Sequence, residues 1–463
     1  MHAIGTYPLR VSAMVLALSA AYSPLSQAET LDFKQAVERA LTQNPDILVA
    51  SAKINQAEAA VKQASGSRLP KLTASLNVTR TDDALNAFGL KLSQRNATFN
   101  DFGANEFTGP AALGVAPRNL NYPDPVNNFN PRLEVQMPIY TGGMIEGYSE
   151  QAKAYLRAAQ HGDVMARQQV TFDVLRAYEA VHTARAYVDV AKQGRLAAES
   201  YVKTIGNLLK GGVVVKSDLL SAQVHQQDVK VQQIQAENAE RQAIDQLHLL
   251  LGMPLSLPLD VAASVDVKPL EGNSREQQDE ATNTNPGLAA LRNQVEAAQA
   301  NVKVARASKY PQVGLLARTD WNDSNIGLDA HSYTLGGQVS WQLFDGGVTN
   351  SAVARAQASR EELSAKLKQA EIGISYQVAD AWRKADEAEQ RVVARELAVD
   401  QSEEAQRIIT KRYENGVATI VELLGGQAQL DKSRADLVAA RYELKVQRAA
   451  ARLAAGHLEP NQL

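Results

Sequence analysis

Apolar residues recur along this chain with two different periods. Between residues 144 and 210 they return at every third or fourth position, as at Val174, Tyr178 and Val181. This spacing predicts one continuous helix, which at 1.5 Å per residue is a rod of roughly 100 Å. Alanine occupies much of the apolar stripe, and such small side chains permit close packing against neighbouring helices.

A period of two marks four shorter segments. Leu72, Ala74 and Leu76, for example, alternate with polar residues, which is typical of a strand with one apolar and one polar face. The predicted strands lie at about 71–80, 131–140, 313–321 and 333–344. They suit either a soluble antiparallel sheet with one solvated face or a membrane barrel, whose tilted strands are about 9–11 residues long. Because bacterial membrane barrels have at least about eight strands, a barrel requires several chains.

The chain carries a tandem duplication. The stretch 137–252 recurs as 341–456 at a constant offset of 204, and each copy predicts a strand, a long helix, a tight turn and a returning helix. An Asn-Pro helix start at Asn44 recurs at Asn285 with an offset of 241, as expected where proline occupies the first turn of a helix. The change in offset places 37 surplus residues in the first copy. They fall in a long polar loop, 82–130, which either covers one end of a barrel, binds a surface partner or is an ordinary exposed loop.

The N-terminus predicts export. Arg10 precedes a short apolar run at 11–21, and Ser26 and Ala28 supply small residues at the positions that a signal peptidase reads. No later stretch approaches the ~20 apolar residues of a membrane helix, so any membrane span must be built from strands. The predicted division is a signal peptide at 1–28, a first repeat at 29–252, a linker at 253–284, a second repeat at 285–456 and a tail at 457–463.

The amino-acid composition argues against several classes of function. Charged residues make up 21% of the chain and the formal net charge is -3, so no basic field indicates nucleic-acid binding. The chain has no cysteine, which excludes disulfides, thiolate metal sites, a cysteine nucleophile and a lipid-anchoring cysteine. The histidines lack metal-ligand spacing, and no nucleophile, base and orienting group form a recognisable arrangement. We therefore expect no enzyme activity, no metal and no cofactor.

Each long helix ends at a tight turn that leads into a new helix. The first turn contains Gly211, Gly212 and Val213, with Lys216, Ser217 and Asp218 after it; the second contains Asn415, Gly416 and Val417, with Thr419 and Glu422 after it. Gly or Asn just past a helix end, followed by a Ser, Thr or Asp start, is typical of a helix–helix turn.

The order of these features resembles the TolC-like outer-membrane efflux proteins of Gram-negative bacteria. The resemblance covers the whole mature chain and includes the strand ends PIYTGG at 138–143 and LFDGG at 343–347. It implies a mainly α fold with a membrane β-barrel. The tandem-duplicated long helical hairpins of a homotrimer would form a periplasmic α-barrel, and four strands per chain would contribute to a twelve-stranded outer-membrane barrel.

The function that this resemblance implies is a passive exit duct of a tripartite efflux or type I secretion system. Its partners would be a periplasmic membrane-fusion (adaptor) protein, an inner-membrane pump of the RND, ABC or MFS type, and outer-membrane lipid. The alternative is a non-conducting periplasmic or surface coiled-coil scaffold. A scaffold has no need of four amphipathic strands of membrane length, which favours the channel.

The resemblance also implies roles at the turns, which would be the periplasmic tips that contact the adaptor. In the family, a tyrosine, a basic residue and acidic residues hold the tunnel end closed. Tyr413 and Glu422 match the tyrosine and the first acidic position, and Asp218 matches the acid that the tyrosine hydroxyl contacts. Ala418 and Gly425 replace the basic residue and the second acid. We therefore expect a weaker gate than the family's, held mainly by packing and a hydrogen bond from Tyr413 to Asp218.

Alternatives stay open at four of these positions. Asp218 and Glu422 also suit a helix start, since acids are favoured in the first turn. Three copies of Glu422 around a threefold axis would form a negative constriction that favours cations. Gly425 and Gly426 each cost roughly 1 kcal/mol relative to alanine inside a helix. They allow either bending near the closed end or close packing.

Overall fold

The computed structural model describes residues 29–459, so the predicted signal peptide and residues 460–463 of the predicted tail lie outside the described range. The helices are α1 (Phe33–Gln43), α2 (Pro45–Gly66), α3 (Ala84–Ser93), α4 (Arg118–Asn121), α5 (Met144–Lys210), α6 (Lys216–Leu250), α7 (Ser274–Thr284), α8 (Pro286–Ala307), α9 (Val348–Glu414) and α10 (Ile420–Ala455). The strands are β1 (Glu29–Leu31), β2 (Lys71–Thr81), β3 (Val126–Tyr140), β4 (Leu259–Val261), β5 (Gln312–Asn322) and β6 (Ala330–Ser340).

The long helices repeat as the sequence predicts. Helices α5 and α9 each contain 67 residues, and both ends of α9 lie 204 positions after those of α5. The returning helices α6 and α10 contain 35 and 36 residues. Between residues 29 and 459, none of the helices has an apolar stretch long enough to cross a membrane. The prediction of a mainly helical chain with duplicated long hairpins is confirmed.

The two Asn-Pro starts have the same local structure. The Asn44 side chain accepts a hydrogen bond from the Asp46 amide at 2.8 Å, and Asn285 accepts one from the Gly287 amide at 2.9 Å. Proline takes the first helical position in both α2 and α8, where its missing N–H has no helical partner to lose. An asparagine cap followed by proline therefore starts the helix before the first strand of each repeat.

The described chain forms two compact units. The first consists of residues 29–40, 174–265 and 398–439. In it the short strands β1 and β4 pair in parallel, and buried Tyr178 places its hydroxyl 3.1 Å from the Leu31 carbonyl oxygen and 3.2 Å from that of Ala263. Phe33 packs edge-on against the Tyr178 ring. Both helix–helix turns belong to this unit.

The second unit contains an antiparallel sheet with strand order β2-β3-β5-β6. Its register places Leu72 opposite Val135, Val135 opposite Ala317, and Ala317 opposite Leu335. Since directly paired residues point to the same side of a sheet, these side chains form one apolar face across all four strands. The two outer members are well exposed, Leu72 at 70% and Leu335 at 73%. Within the described chain, nothing covers the apolar face at its two edges.

The opposite face of the sheet is polar. Ser75 lies opposite Arg132, and Arg132 lies opposite Asp320. Arg132 Nε donates to Asp320 Oδ1 at 2.5 Å, and Arg318 Nε lies 3.3 Å from Asp320 Oδ2. The alternation in the sequence therefore corresponds to two chemically different faces.

Three predicted strand ends are wrong, and the predicted long polar loop contains short helical elements. Strand β3 begins at Val126 rather than near 131, and β6 runs from Ala330 to Ser340 rather than from 333 to 344. Past β6 the chain turns away: the Trp341 indole donates to the Lys309 carbonyl oxygen, and Asp345 accepts from the Thr349 amide at the start of α9. Residues 82–125 hold α3, α4 and three short 3-10 turns.

Candidate functional site at the helix–helix turns

The two turns of the first unit have matching backbone geometry. The Val213 amide donates to the Leu208 carbonyl at 2.9 Å, and the Val417 amide donates to the Arg412 carbonyl at 2.9 Å. Gly212 and Gly416 occupy the left-handed region with φ of +73° and +72°, where a side chain is disfavoured. Gly211 and Asn415 precede them, as predicted. All six turn residues are exposed. Each turn therefore exposes backbone groups and one valine side chain, and the second turn also exposes the Asn415 side chain.

The helices that leave the turns start differently. Thr419 caps α10: Glu422 N donates to Thr419 Oγ1 at 3.2 Å, while Glu422 Oε2 accepts from Thr419 N at 2.7 Å, a reciprocal capping box. Val215 occupies the equivalent position before α6, and its apolar side chain makes no capping hydrogen bond. The predicted cap by Lys216, Ser217 and Asp218 is therefore wrong, because all three lie inside the first turn of α6. The alternative for Asp218, an acid in the first turn of a helix, is confirmed.

An apolar cluster lies directly behind the turns. Tyr413, Ile205, Ala222 and Leu423 are all at least 95% buried and pack together. They come from all four long helices of the unit, one residue each from α5, α6, α9 and α10. Ala418, at the position where the family has a basic residue, also packs on this cluster. The turns are thus joined by packing between apolar side chains.

The expected hydrogen bond from Tyr413 to Asp218 is absent. Tyr413 is 4% exposed, and its hydroxyl has no hydrogen-bond partner within residues 29–459. Burial raises the pKa of Tyr413, and the negative charge of nearby Asp218 raises that pKa further. The ring is held by the apolar cluster, which encloses the hydroxyl without bringing the carboxylate into bonding distance. This prediction was wrong, although the two residues do lie near each other.

Glu422 is engaged locally. The amide and the hydroxyl of Thr419 donate to its carboxylate and lower its pKa, and the charge of Arg412 lowers it further. Arg412 donates to the Val417 carbonyl at 3.4 Å. No pattern in the sequence singles out this arginine, although it directly precedes Tyr413. A basic residue is therefore present at the second turn, one position before the tyrosine rather than at Ala418.

A partly buried polar layer lies next to the apolar cluster, and the sequence pattern did not indicate it. Gln406 Nε2 donates to Tyr201 Oη at 2.8 Å, Tyr201 Oη donates to Gln427 Oε1 at 2.9 Å, and Gln427 Nε2 donates to Asp431 Oδ1 at 2.9 Å. Burial raises the pKa of Asp431. Within this layer, Gln427 repeats Gln223 at the offset of 204. The layer links α5, α9 and α10 by side-chain hydrogen bonds.

The paired glycines of α10 differ in their surroundings. A Cβ on Gly426 would lie 2.2 Å from Gln406 Oε1 and 3.0 Å from Ile409 Cδ1, whereas a Cβ on Gly425 would meet no heavy atom within 4 Å. Gly426 therefore sits at a close approach between α10 and α9. Of the two alternatives for this pair, the contacts at Gly426 favour close packing.

The site consists of two exposed turns backed by packed apolar and polar side chains. No group of three or more His, Cys, Asp or Glu within residues 29–459 could hold a metal ion. The turns expose valines and backbone to a partner, and the carboxylates of Asp218 and Glu422 lie in the first turns of α6 and α10. The half-buried carboxyl of Asp431 belongs to the polar layer.

Comparison with known proteins identifies the family. The model of the outer membrane efflux protein family matches residues 36–253 and 278–457. The chain therefore belongs to the outer membrane efflux protein family, whose members are transport channels rather than enzymes.

Individual relatives agree with this assignment. The alkaline protease secretion protein AprF of Pseudomonas aeruginosa is 24% identical over 344 residues, covering 72% of this chain and 70% of AprF. The outer membrane protein TolC of Vibrio cholerae is 23% identical over 450 residues, covering 94% and 92%. The solved structure of the outer-membrane channel OprN shares the fold with a TM-score of 0.74 at 20% identity, covering 92% of this chain and 90% of OprN. The predicted TolC-like channel of an efflux or secretion system is confirmed, and none of these relatives favours a non-conducting scaffold.

Proposed function

We propose that three copies of this chain form a passive exit duct across the outer membrane and the periplasm. The exposed sheet of the second unit carries this proposal. Its edge strands β2 and β6 are unpaired on their outer sides within the described chain, and its apolar face is exposed at Leu72, Tyr333 and Val339. Unpaired edges and a continuous apolar face are both unfavourable in water. Neighbouring copies would pair the edges, and lipid would cover the apolar face.

Three copies of four strands give a twelve-stranded barrel, an even number within the range of bacterial barrels. Its polar face, with Arg132, Arg318 and Asp320, would line an aqueous lumen. The long helices α5 and α9, with their returning partners, would form the periplasmic tunnel. Export by the predicted signal peptide at 1–28 and the absence of a lipid-anchoring cysteine complete this proposal for localisation.

The turns would contact a periplasmic adaptor protein, which connects the duct to an inner-membrane pump of the RND, ABC or MFS type. The exposed valines at the matching positions 213 and 417 suit the apolar part of such a contact. Tyr413, Asp218 and Glu422 would form the gate. Tyr413 would hold it closed by packing, and three copies of Glu422 would favour cations.

Cysteine labelling along β2 tests the barrel, because the natural chain has no cysteine. Ser75 and Leu76 are adjacent, exposed, and on opposite faces of the sheet. In outer-membrane vesicles, a hydrophilic maleimide should modify Ser75→Cys and leave Leu76→Cys unmodified until detergent replaces the lipid. Equal modification of both variants before detergent would indicate a soluble sheet and overturn the proposal.

A further inference from the structure

The connection between β2 and β3 is a folded segment. This outer segment, residues 82–125, is much longer than the turn at 323–329 that joins β5 to β6 at the same end of the sheet. Within it, Lys91 Nζ donates to Asp101 Oδ1 at 2.5 Å, and this ion pair with the Thr98 amide lowers the pKa of Asp101 to about 2. Phe88 and Phe102 pack edge to face at a centroid distance of 4.7 Å. These contacts give the segment a defined structure of its own.

A second set of contacts fixes the far part of the outer segment. The Glu106 carboxylate accepts hydrogen bonds from the amides of Arg118 and Asn119 at 2.7 and 2.9 Å, and these bonds lower the pKa of Glu106. Asn119 Nδ2 also donates to Asn105 Oδ1 at 3.3 Å. The short helix α4 is thereby tied to the 3-10 turn Ala104–Glu106, so these bonds link the two ends of residues 104–119.

The outer segment is attached to the sheet by the end of α3. Gln94 Nε2 donates to the Asn127 carbonyl at 2.7 Å and to Asn128 Oδ1 at 2.9 Å. The next residue, Arg95, adopts a positive φ of 59° and donates from its guanidinium to the His331 carbonyl at 2.6 Å. The segment is thus tied to β3 on one side and to the start of β6 on the other.

The attachment lies on the polar face of the sheet. Asn128 is on the same side of β3 as Arg132, because residues two or four apart in a strand share a face. Its Nδ2 donates to Asn322 Oδ1 at 3.0 Å, and Asn322 shares a face of β5 with Asp320. Asn128 is only 4% exposed, so the end of the polar face is covered where Gln94 meets it.

We propose that the outer segment folds over the lumen side of the barrel mouth and narrows the outlet, so that it sets the upper size of what leaves the duct. This inference rests on the proposed function, since the polar face lines the lumen only in a barrel. The constriction comes from the first repeat alone, because the connection at 323–329 is too short to cover the face. It acts at the outer end and is independent of the helix turns.

The test measures entry of reagents from the outside, which the periplasmic gate does not limit. The reporter is Ser75→Cys on β2, whose partner Arg132 lies four residues deeper along β3 than Asn128. A small hydrophilic maleimide should modify the reporter in whole cells at the same rate in every background. A bulky polyethylene-glycol maleimide should modify it slowly in the natural background.

Releasing the attachment should admit the bulky reagent. Gln94→Ala combined with Arg95→Gly removes both side-chain ties while suiting the positive φ at residue 95. Its rate of bulky labelling should rise at least about tenfold, since losing such hydrogen bonds shifts an opening equilibrium by that order. Arg118→Gln is the matched control, because it removes one positive charge from an exposed position of the same segment and breaks no side-chain bond to the sheet. It should leave the rate unchanged.

The outcomes separate the two proposals. If the small reagent modifies Ser75→Cys and the bulky reagent does so at the same rate with and without the ties, the duct stands and the constriction is wrong. If the small reagent fails to reach the reporter in any background, the polar face does not line a lumen and both proposals fall. Leu113→Cys, at an exposed position of the outer segment, should react with both reagents and shows that the chain has reached the surface.

Discussion

Replacing Gly426 with alanine tests whether the paired glycines of α10 are a packing contact or a hinge. The new Cβ would lie 2.2 Å from Gln406 Oε1 and 3.0 Å from Ile409 Cδ1, so Gln406 must move. That side chain is 4% exposed and donates to Tyr201 Oη and to the Leu423 carbonyl. Moving it breaks two hydrogen bonds, and each contributes about 1 kcal/mol.

The alanine also stabilises the helix, which offsets part of this loss. Alanine is favoured over glycine inside a helix by about 1 kcal/mol, so Gly426→Ala should lower the local stability by about 1–2 kcal/mol, as in other overpacked sites. Gly425→Ala is the matched control, because its Cβ meets no heavy atom within 4 Å. It should raise the local stability by about 1 kcal/mol.

Hydrogen exchange in peptides covering residues 400–430 measures the free energy of local opening. A change of 1.4 kcal/mol alters protection about tenfold, so Gly426→Ala should lose roughly five- to thirtyfold protection and Gly425→Ala should gain roughly fivefold. If both variants gain protection equally, Gly426 is not a packing contact. The hinge then remains as the explanation, and slower opening of transport in both variants would support it.

Three further predictions concern neighbouring side chains. Burial raises the pKa of Asp431. The contribution of this carboxyl to the free energy of unfolding is therefore full below the ordinary aspartate pKa, and it falls as pH rises through the raised pKa of the folded state. Asp431→Asn should remove this loss of stability. The melting temperature of the variant should therefore rise relative to that of the wild type as pH increases from about 4. A difference in melting temperature that is the same at every pH would contradict this prediction. Tyr413→Phe should keep or raise local stability by up to about 1 kcal/mol, because the hydroxyl has no partner within residues 29–459; a loss of exchange protection at the second turn would show a hidden bond. Glu422→Gln should reduce cation selectivity in planar bilayers, and unchanged reversal potentials would place Glu422 away from the constriction.

The helical part of the fold was predictable because its signals are local and repeated. The offset of 204 and the glycines at 212 and 416 specify where the long helices end. Period-two alternation likewise specifies which side chains share a face of the sheet. The end of β6 was not predictable in this way, since alternation continues through Trp341 and Leu343 while the chain already turns towards α9.

The missed features depend on contacts between distant segments. The outer segment has no apolar periodicity, and its attachment relies on Gln94 meeting Asn128 across 34 positions. The polar layer joins Tyr201 and Gln406 from two different long helices, and their positions differ by 205, so they are not equivalent residues of the repeat. Family resemblance pointed to Tyr413 and Asp218 as a pair, yet the distance between the tyrosine hydroxyl and the carboxylate depends on the packing of four helices.

Single-channel recording of the detergent-extracted full chain in a planar bilayer tests the central claim, that the assembled protein conducts. The wild type should give discrete conductance steps. Tyr413→Ala should give larger or more frequent steps, because it removes a buried ring from the cluster that holds the turns together. Inserted oligomers of both proteins that never conduct would contradict the duct and favour a scaffold.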